Sequence, residues 1–188
     1  MPLLDHFDLI APFYDRAVPL KSSEIITGLV NCPVSGKLLD AGGGTGRVSS
    51  AFIGKCADIV ISDVSLAMLR QAKAKDAFRL ACAQTECLPF QGDAFERVIM
   101  VDAFHHVCNH SETASELWRV LKPGGRIVIQ EPDINTFAVK LVALLEKLLL
   151  MRSHFVSAER IAAYFNYHNA SINIHRDGFN TWMVIDKS

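Results

Sequence analysis

The chain has 188 residues, half of them apolar, with 19 basic against 20 acidic side chains and a formal net charge of -1. That composition excludes the disordered and fibrous classes, and a chain of this length buries about 70% of its unfolded surface without needing disulfides or a structural metal. The balanced charge also argues against nucleic-acid binding, which needs a basic excess to displace counterions from phosphates.

The opening MPLLDHFDLI has no basic stretch ahead of a long apolar run and no small-residue cleavage site, so a cytoplasmic protein is expected. Cys32, Cys56, Cys82, Cys87 and Cys108 are odd in number and form no CxxC pair. In a reducing compartment they read as small buried apolar residues without disulfides. From 37 to 131, short apolar runs alternate with helical stretches, the rhythm of a parallel sheet covered by helices. Strands are expected at 37–41, 58–63, 77–82, 97–103 and 125–131, as near-continuous apolar runs buried on both faces. Helices are expected at 47–56, 65–75 and 111–121, the last capped by Ser111 and stopped by Lys122-Pro123-Gly124-Gly125.

Beyond Glu131 come two helical segments, about 134–152 and 157–167, and then two β-rich runs around Arg176-Asp177-Gly178 that predict a hairpin. No linker or repeat interrupts the chain. Residues 1–188 therefore read as one domain, with a helical cover over 1–30, a core over 37–131 and helices plus a terminal hairpin over 134–188. The apolar stretch 137–151 is broken by Lys140, Glu146 and Lys147. It falls short of the roughly 20 residues a membrane span requires, so none is expected. Its scattered charges demand cover on several sides, by core, by a subunit interface such as that of a homodimer, or as a wall over an apolar small-molecule acceptor.

Leu38-Leu39-Asp40-Ala41-Gly42-Gly43-Gly44-Thr45-Gly46-Arg47 runs from a strand through a glycine turn into a helical stretch. Counting G-x-G-x-x-G from Gly42 puts Arg47 where the last glycine belongs, so the nicotinamide fingerprint fails. A nucleoside-triphosphate loop fails as well, for want of a lysine in the turn. Asp-x-Gly-x-Gly-x-Gly remains. The first βα turn at the carboxyl edge of a parallel sheet is where adenosine-type ligands bind. Asp63, at the end of the second strand and about 20 positions beyond the first glycine, is placed to accept ribose hydroxyls. The alternative for Asp63 is an N-cap on the next helix.

With these residues in view, the sequence resembles the class I S-adenosyl-L-methionine-dependent methyltransferases, particularly the small-molecule branch that includes the ubiquinone and menaquinone methyltransferases. The likeness runs in order through FDLIAPFYDR, the glycine turn, ISDVSLAMLRQAK, Leu88-Pro89-Phe90, FERVIMVDAFHHV and ELWRVLKPGGRIVIQEPD, covering about residues 7–133. It implies an α/β fold: a Rossmann-like, doubly wound, seven-stranded sheet, mainly parallel with an antiparallel C-terminal strand. It also implies methyl transfer from S-adenosyl-L-methionine to a small-molecule acceptor. A rival of a different class is a protein that binds the same cofactor without catalysis, as a partner subunit.

The resemblance implies a cofactor set of Tyr14, Asp40, Ala41, Gly42, Gly43, Gly44, Gly46, Asp63, Val64, Met68, Gln84, Thr85 and Asp102. Asp40 matches an acid near the cofactor's amino group, against a reading as a buried acceptor for backbone amides. Met68 matches a position that packs on adenine, against an ordinary core residue. Tyr14 lies in a segment like the family's covering helix and can close the methionine end, or it can simply anchor a surface helix. Where the family commonly carries Gly-Asp-Ala, this chain has Ala83-Gln84-Thr85. The Gln84 amide can accept from the adenine amino group and the Thr85 N–H can serve a ring nitrogen, unless Gln84 is only a solvated loop residue.

His105 and His106 follow the fourth strand at the same edge. Methyl transfer from a sulfonium needs alignment and exclusion of water, with a base only where the acceptor loses a proton. Either imidazole titrates in the right range to be that base, and the alternative is a packing or cofactor-shaping role. Glu131 and Asp133 are secondary candidates. His106, Cys108 and His110 alternate like metal ligands, but no second half-site lies nearby, so no metal is expected.

Overall fold

Leu38, Leu39 and Ala41 are fully buried in β1 (Lys37–Ala41), as are Ile61 in β2 (Asp58–Asp63), Val98, Ile99 and Met100 in β4 (Phe95–Val101), and Ile127, Val128 and Ile129 in β5 (Leu121–Pro132). Consecutive buried residues mean that both sheet faces are covered. The computed structural model describes residues 23–134 and 154–188. Within it, these strands join β3 (Arg79–Cys82), β6 (Ala170–Asp177) and β7 (Asn180–Lys187) in one seven-stranded sheet of order β3-β2-β1-β4-β5-β7-β6. The pairings among β1 to β5 are parallel, and β7 runs antiparallel between β5 and β6, as expected. The order reverses between β1 and β4, so the carboxyl edge there is a topological switch point, where ligands of open α/β sheets bind.

Several elements depart from the sequence expectation. The stretch 47–56 forms only one 3-10 turn, Ser49–Phe52, flanked by Gly46 and Gly54. The Ser49 hydroxyl donates to Asp40 Oδ2 at 2.7 Å, which ties the first residue of the turn to the sheet instead of letting a helix run on. Helix α3 (His110–Val120) is capped not by Ser111 but by Asn109, whose extended backbone lets its Oδ1 accept from the Ser111 and Glu112 N–H groups at 3.1 and 3.2 Å. The Lys-Pro-Gly-Gly stretch is not a loop: β5 begins directly at Leu121, and a register shift opposite Phe95 to Arg97 absorbs the extra residues. The cysteines are not core residues. Cys82, Cys87 and Cys108 are exposed at a strand end and in loops, and Cys32 and Cys56 are half-buried.

Other boundaries fall close to expectation. Helix α2 (Leu66–Lys73) starts at an N-cap, Ser65, whose hydroxyl accepts from Met68 N–H, and α4 (Ala158–Ala163) is capped in the same way by Ser157. The terminal hairpin turns through Gly178, at φ +60°, and Phe179. The covering segment with Tyr14, and the apolar stretch 137–151 on which the interface and acceptor-wall readings rest, lie outside the described residues.

Basic side chains finish two helices. A helix end leaves carbonyls without intrahelical partners, and cations there also complement the helix dipole. Arg97 and Arg126, paired in the β4–β5 register, donate to the carbonyls of Val30 and Leu29 at the end of α1 (Ser23–Val30), at 2.8 and 2.9 Å. Arg126 also grips Asp186 through two hydrogen bonds, linking α1 to β7. Lys187 donates to the carbonyls of Trp118 and Leu121 where α3 ends.

No helix separates β3 from β4. An open cleft of about 360 Å³ lies there, lined by Lys37, Asp58, Arg79 and Phe95, the first residues of β1 to β4, and so at the amino edge of the sheet. No helix among the described residues is long and apolar enough to cross a membrane.

Trp182 on β7 is 1% exposed, and its indole N–H has no partner. Trp182→Phe deletes that orphaned donor and should cost under about 1.5 kcal/mol. Trp182→Ala leaves a cavity and should cost about 3–5 kcal/mol. Urea unfolding of the two variants checks both values.

Candidate functional site

β1 delivers Ala41 to the carboxyl edge, where the chain turns back on itself. The N–H groups of Gly42 and Gly43 both donate to the Ser62 carbonyl on β2, at 2.7 and 3.2 Å, and Gly46 N–H closes the turn on the Gly43 carbonyl. Two glycines answer to different demands. A Cβ on Gly43 would lie 2.5 Å from Asp40 Cγ, so this residue is glycine because a carboxylate sits directly beneath it. Gly44 has φ +54°, and a Cβ there would meet nothing nearer than Asp63 Oδ2 at 3.8 Å and Met68 Sδ at 4.0 Å. That side of the turn is open to a ligand.

Asp63 ends β2 beside this opening. Its Oδ2 accepts from Gly44 N–H and its Oδ1 from Ser65 N–H, both at 2.8 Å. It is therefore not the cap of α2, a role Ser65 fills. A carboxylate accepts through both oxygens, the chemistry that suits a vicinal diol. Val64 and Leu66 are exposed on either side of the Ser65 cap, at 55% and 57%, while Met68 is buried. Leu66, which the sequence reading passed over, thus adds apolar surface next to Asp63. The 83–85 loop is tied to the same edge, since Ala83 N–H donates to the Asp63 carbonyl at 3.1 Å. Gln84 is exposed there and Thr85 is buried, its hydroxyl 3.3 Å from that of Thr113.

On the β4 side, Asp102 adopts φ +52°, with its N–H on the Gln130 carbonyl and its Oδ1 accepting from Gln130 Nε2 at 3.0 Å. Between Asp102 and Asp40 lies Arg47, used in the sequence only to exclude other cofactors. Its side chain is 12% exposed, its guanidinium is 3.7 Å from Asp102 Oδ2, and its Nε has no hydrogen-bond partner. A buried orphaned donor costs free energy unless something fills it, and a carboxylate-bearing ligand would. The open face at Gly44, the Asp63 carboxylate beside it and this donor together fit an amino-acid–nucleoside cofactor.

The histidines separate. His105 is 4% exposed, and its Nδ1 lies 2.5 Å from Glu131 Oε2 at the end of β5. Glu131 Oε1 accepts from Ala103 and Phe104 N–H, at 3.1 and 2.7 Å, so one carboxylate holds both the turn and the ring. A carboxylate accepts, so His105 donates from Nδ1, and Glu131 thereby fixes the orientation of the ring. The ring stacks on Phe155 with centroids 4.3 Å apart. His106 is half-buried beside it, and His110 stacks between Phe104 and Tyr164. Asp133 is in ion-pair reach of Arg176.

Burial, only partly offset by the Ser49 hydrogen bond, pushes the Asp40 carboxyl up to about 7. Burial and then the Glu131 charge push Asp102 up to about 6. An acid whose folded pKa is raised costs stability as pH climbs from its unfolded value to its folded one. Asp40→Asn removes that cost and keeps an acceptor for Ser49. Its stability relative to the parent should rise between about pH 4 and pH 7, by on the order of 2–4 kcal/mol. Urea unfolding at several pH values checks this, and a difference that stays flat with pH contradicts it.

Residues 39–129 match the model of the Methyltransferase domain family. The demethylmenaquinone methyltransferase of Clavibacter sepedonicus is 35% identical over 136 residues, 66% of this chain and 56% of that protein. The ubiquinone/menaquinone biosynthesis C-methyltransferase UbiE of Methylococcus capsulatus is 25% identical over 96% of this chain and 84% of its own length. The chain spans 56% and 61% of the Clavibacter sepedonicus protein and of the Pectobacterium carotovorum UbiE protein. In fold it is similar to a SAM-dependent methyltransferase of Thermotoga maritima, with a TM-score of 0.80 at 18% identity and 97% and 98% of the two chains covered. It is also similar to a Haloferax volcanii complex of the Trm112 methyltransferase activator, with a TM-score of 0.83 at 16% identity and 98% and 99% coverage. With its strand order, its glycine turn and these relatives, the chain carries a methyltransferase domain over residues 39–129 and resembles the class I S-adenosylmethionine-dependent methyltransferases, the ubiquinone and menaquinone enzymes in particular.

Proposed function

We propose that the chain transfers a methyl group from S-adenosyl-L-methionine to a small-molecule acceptor at the carboxyl edge of β1, β2 and β4. The observation that carries this is Asp63, a carboxylate fixed by Gly44 and Ser65 N–H groups at the strand end beside an open glycine turn. In this reading Asp63 takes the ribose hydroxyls. Val64, Leu66 and Met68 flank adenine, and Gln84 and Thr85 meet its polar edge. The backbone from Ala41 to Gly46 runs along the methionine end. Arg47 donates to the methionine carboxylate, with Asp40 and Asp102 on either side balancing its charge.

When bound, the cofactor supplies a methyl on a positively charged sulfur, a strong electrophile. The protein aligns the acceptor in line with it and excludes water. His105, oriented by Glu131 through Nδ1, takes a proton at Nε2 from an acceptor that must lose one. The Phe155 ring stacked on His105 supports an acceptor with apolar or aromatic character, in keeping with relatives named for quinone methylation.

A labelled-methyl screen against pooled metabolites tests the proposal, with incorporation as the expected result. Cofactor binding by calorimetry without incorporation would mean a protein that binds without catalysis. Asp63→Ala should lose roughly 2–4 kcal/mol of S-adenosylmethionine affinity, with Asp63→Asn between it and the parent. The Ala variant should also unfold more easily, because two backbone amides lose their acceptor. An Asn variant that binds like the parent would limit Asp63 to supporting the turn.

A further inference from the structure

The sheet's opposite edge holds a second group of reactive side chains, and the proposed methyl transfer uses none of them. Cys32 follows α1, Cys56 precedes β2, and their sulfurs are 3.7 Å apart. The loops that carry them are already aligned, since Val34 N–H donates to the Lys55 carbonyl at 2.9 Å and Ala57 N–H to the Gly36 carbonyl at 3.0 Å. These two bonds bracket Cys56, so bringing the sulfurs together needs side-chain rotation and little movement of the backbone. The geometry points to Cys32 and Cys56 as a site of reversible oxidation, closed to a disulfide by exchange with a low-molecular-weight disulfide such as oxidised glutathione.

The surroundings give the two thiols different parts. The hydrogen bond from Cys56 holds the Cys32 thiol below the ordinary thiol range, and the Arg97 and Lys55 charges act in the same direction against burial. Arg97 is fixed there by its bonds to the Val30 and Asn31 carbonyls. Cys56 is pushed the other way by the same pairing. Cys32 is thus the attacking thiolate. It displaces one glutathione thiolate and becomes a mixed disulfide, which removes the charge that opposed ionisation of Cys56. The Cys56 thiolate then attacks the Cys32 sulfur and releases the second glutathione. Two protein thiols and one oxidised glutathione give one protein disulfide and two reduced glutathiones. The closed loop contains β1 and the whole glycine turn. Cys82, Cys87 and Cys108 are exposed, and among the described residues only Cys82 of the three bonds through sulfur, to a backbone carbonyl at 3.6 Å.

The test is incubation of the whole chain with oxidised glutathione at mildly alkaline pH, then alkylation, intact mass and peptide mapping. The parent should become lighter by two hydrogens, yield a peptide joining Cys32 to Cys56, alkylate at Cys82, Cys87 and Cys108, and revert with dithiothreitol. Cys56→Ser should stop with one glutathione on Cys32, and Cys32→Ser should leave Cys56 unreacted over the same time. A parent that keeps glutathione on Cys32 without closing, or that alkylates at both Cys32 and Cys56, overturns the proposal. This outcome does not depend on the methyl-transfer reading, because it requires neither cofactor nor acceptor.

Discussion

One carboxylate holds the edge of the candidate site together. Asp63 joins the end of β2 to the glycine turn through Gly44 and to the start of α2 through Ser65, so three segments share their geometry through two hydrogen bonds of 2.8 Å. The turn is doubly fixed to β2, since Gly42 and Gly43 donate to the Ser62 carbonyl one residue earlier. The Asp63 carbonyl in turn receives Ala83 N–H, which brings the loop after β3 to the same place. The result is an edge whose loops are held by hydrogen bonds to one another, which under the proposed function lowers the ordering cost of binding.

The edge is also electrostatically unusual. Asp40, Asp63, Asp102 and Glu131 all end strands or follow them there, and Arg47 lies between two of these acids. Burying carboxyls is costly, and burial first, with neighbouring negative charge added, pushes Asp40 and Asp102 up. Strain of this kind gathers at functional sites. Under the proposed function, a ligand carrying a sulfonium and an ammonium would relieve it, and a carboxylate on that ligand would meet Arg47 Nε, which has no hydrogen-bond partner. Glu131 adds a local device, because a single side chain satisfies two backbone donors and orients the ring of His105.

The strands of the core were legible because each is a short apolar run, and a run such as Ile99-Met100-Val101 leaves little choice but a strand covered on both faces. The glycine turn and Asp63 were legible because spacing in the sequence corresponds to position along one sheet edge. What stayed hidden depends on contacts distant in sequence. Nothing near Glu131 announces a partner 26 positions earlier, and the pull of Asp40 on Ser49 that cuts a predicted helix to one turn crosses from strand to turn. Asn109 was missed as a cap because Ser111, two residues on, offers the same chemistry, and only the backbone angles decide between them. The cysteines misled because burial was inferred from residue type, whereas three of them sit at a strand end or in loops.

The location of the cofactor is the central claim, and amide chemical-shift mapping during titration with S-adenosylhomocysteine tests it most directly. Shifts are predicted at residues 42–46, 63–68 and 84–85, on the carboxyl edge of the sheet. Shifts confined to the amino-edge cleft around Lys37, Asp58, Arg79 and Phe95, or no shifts at saturating ligand, would contradict it.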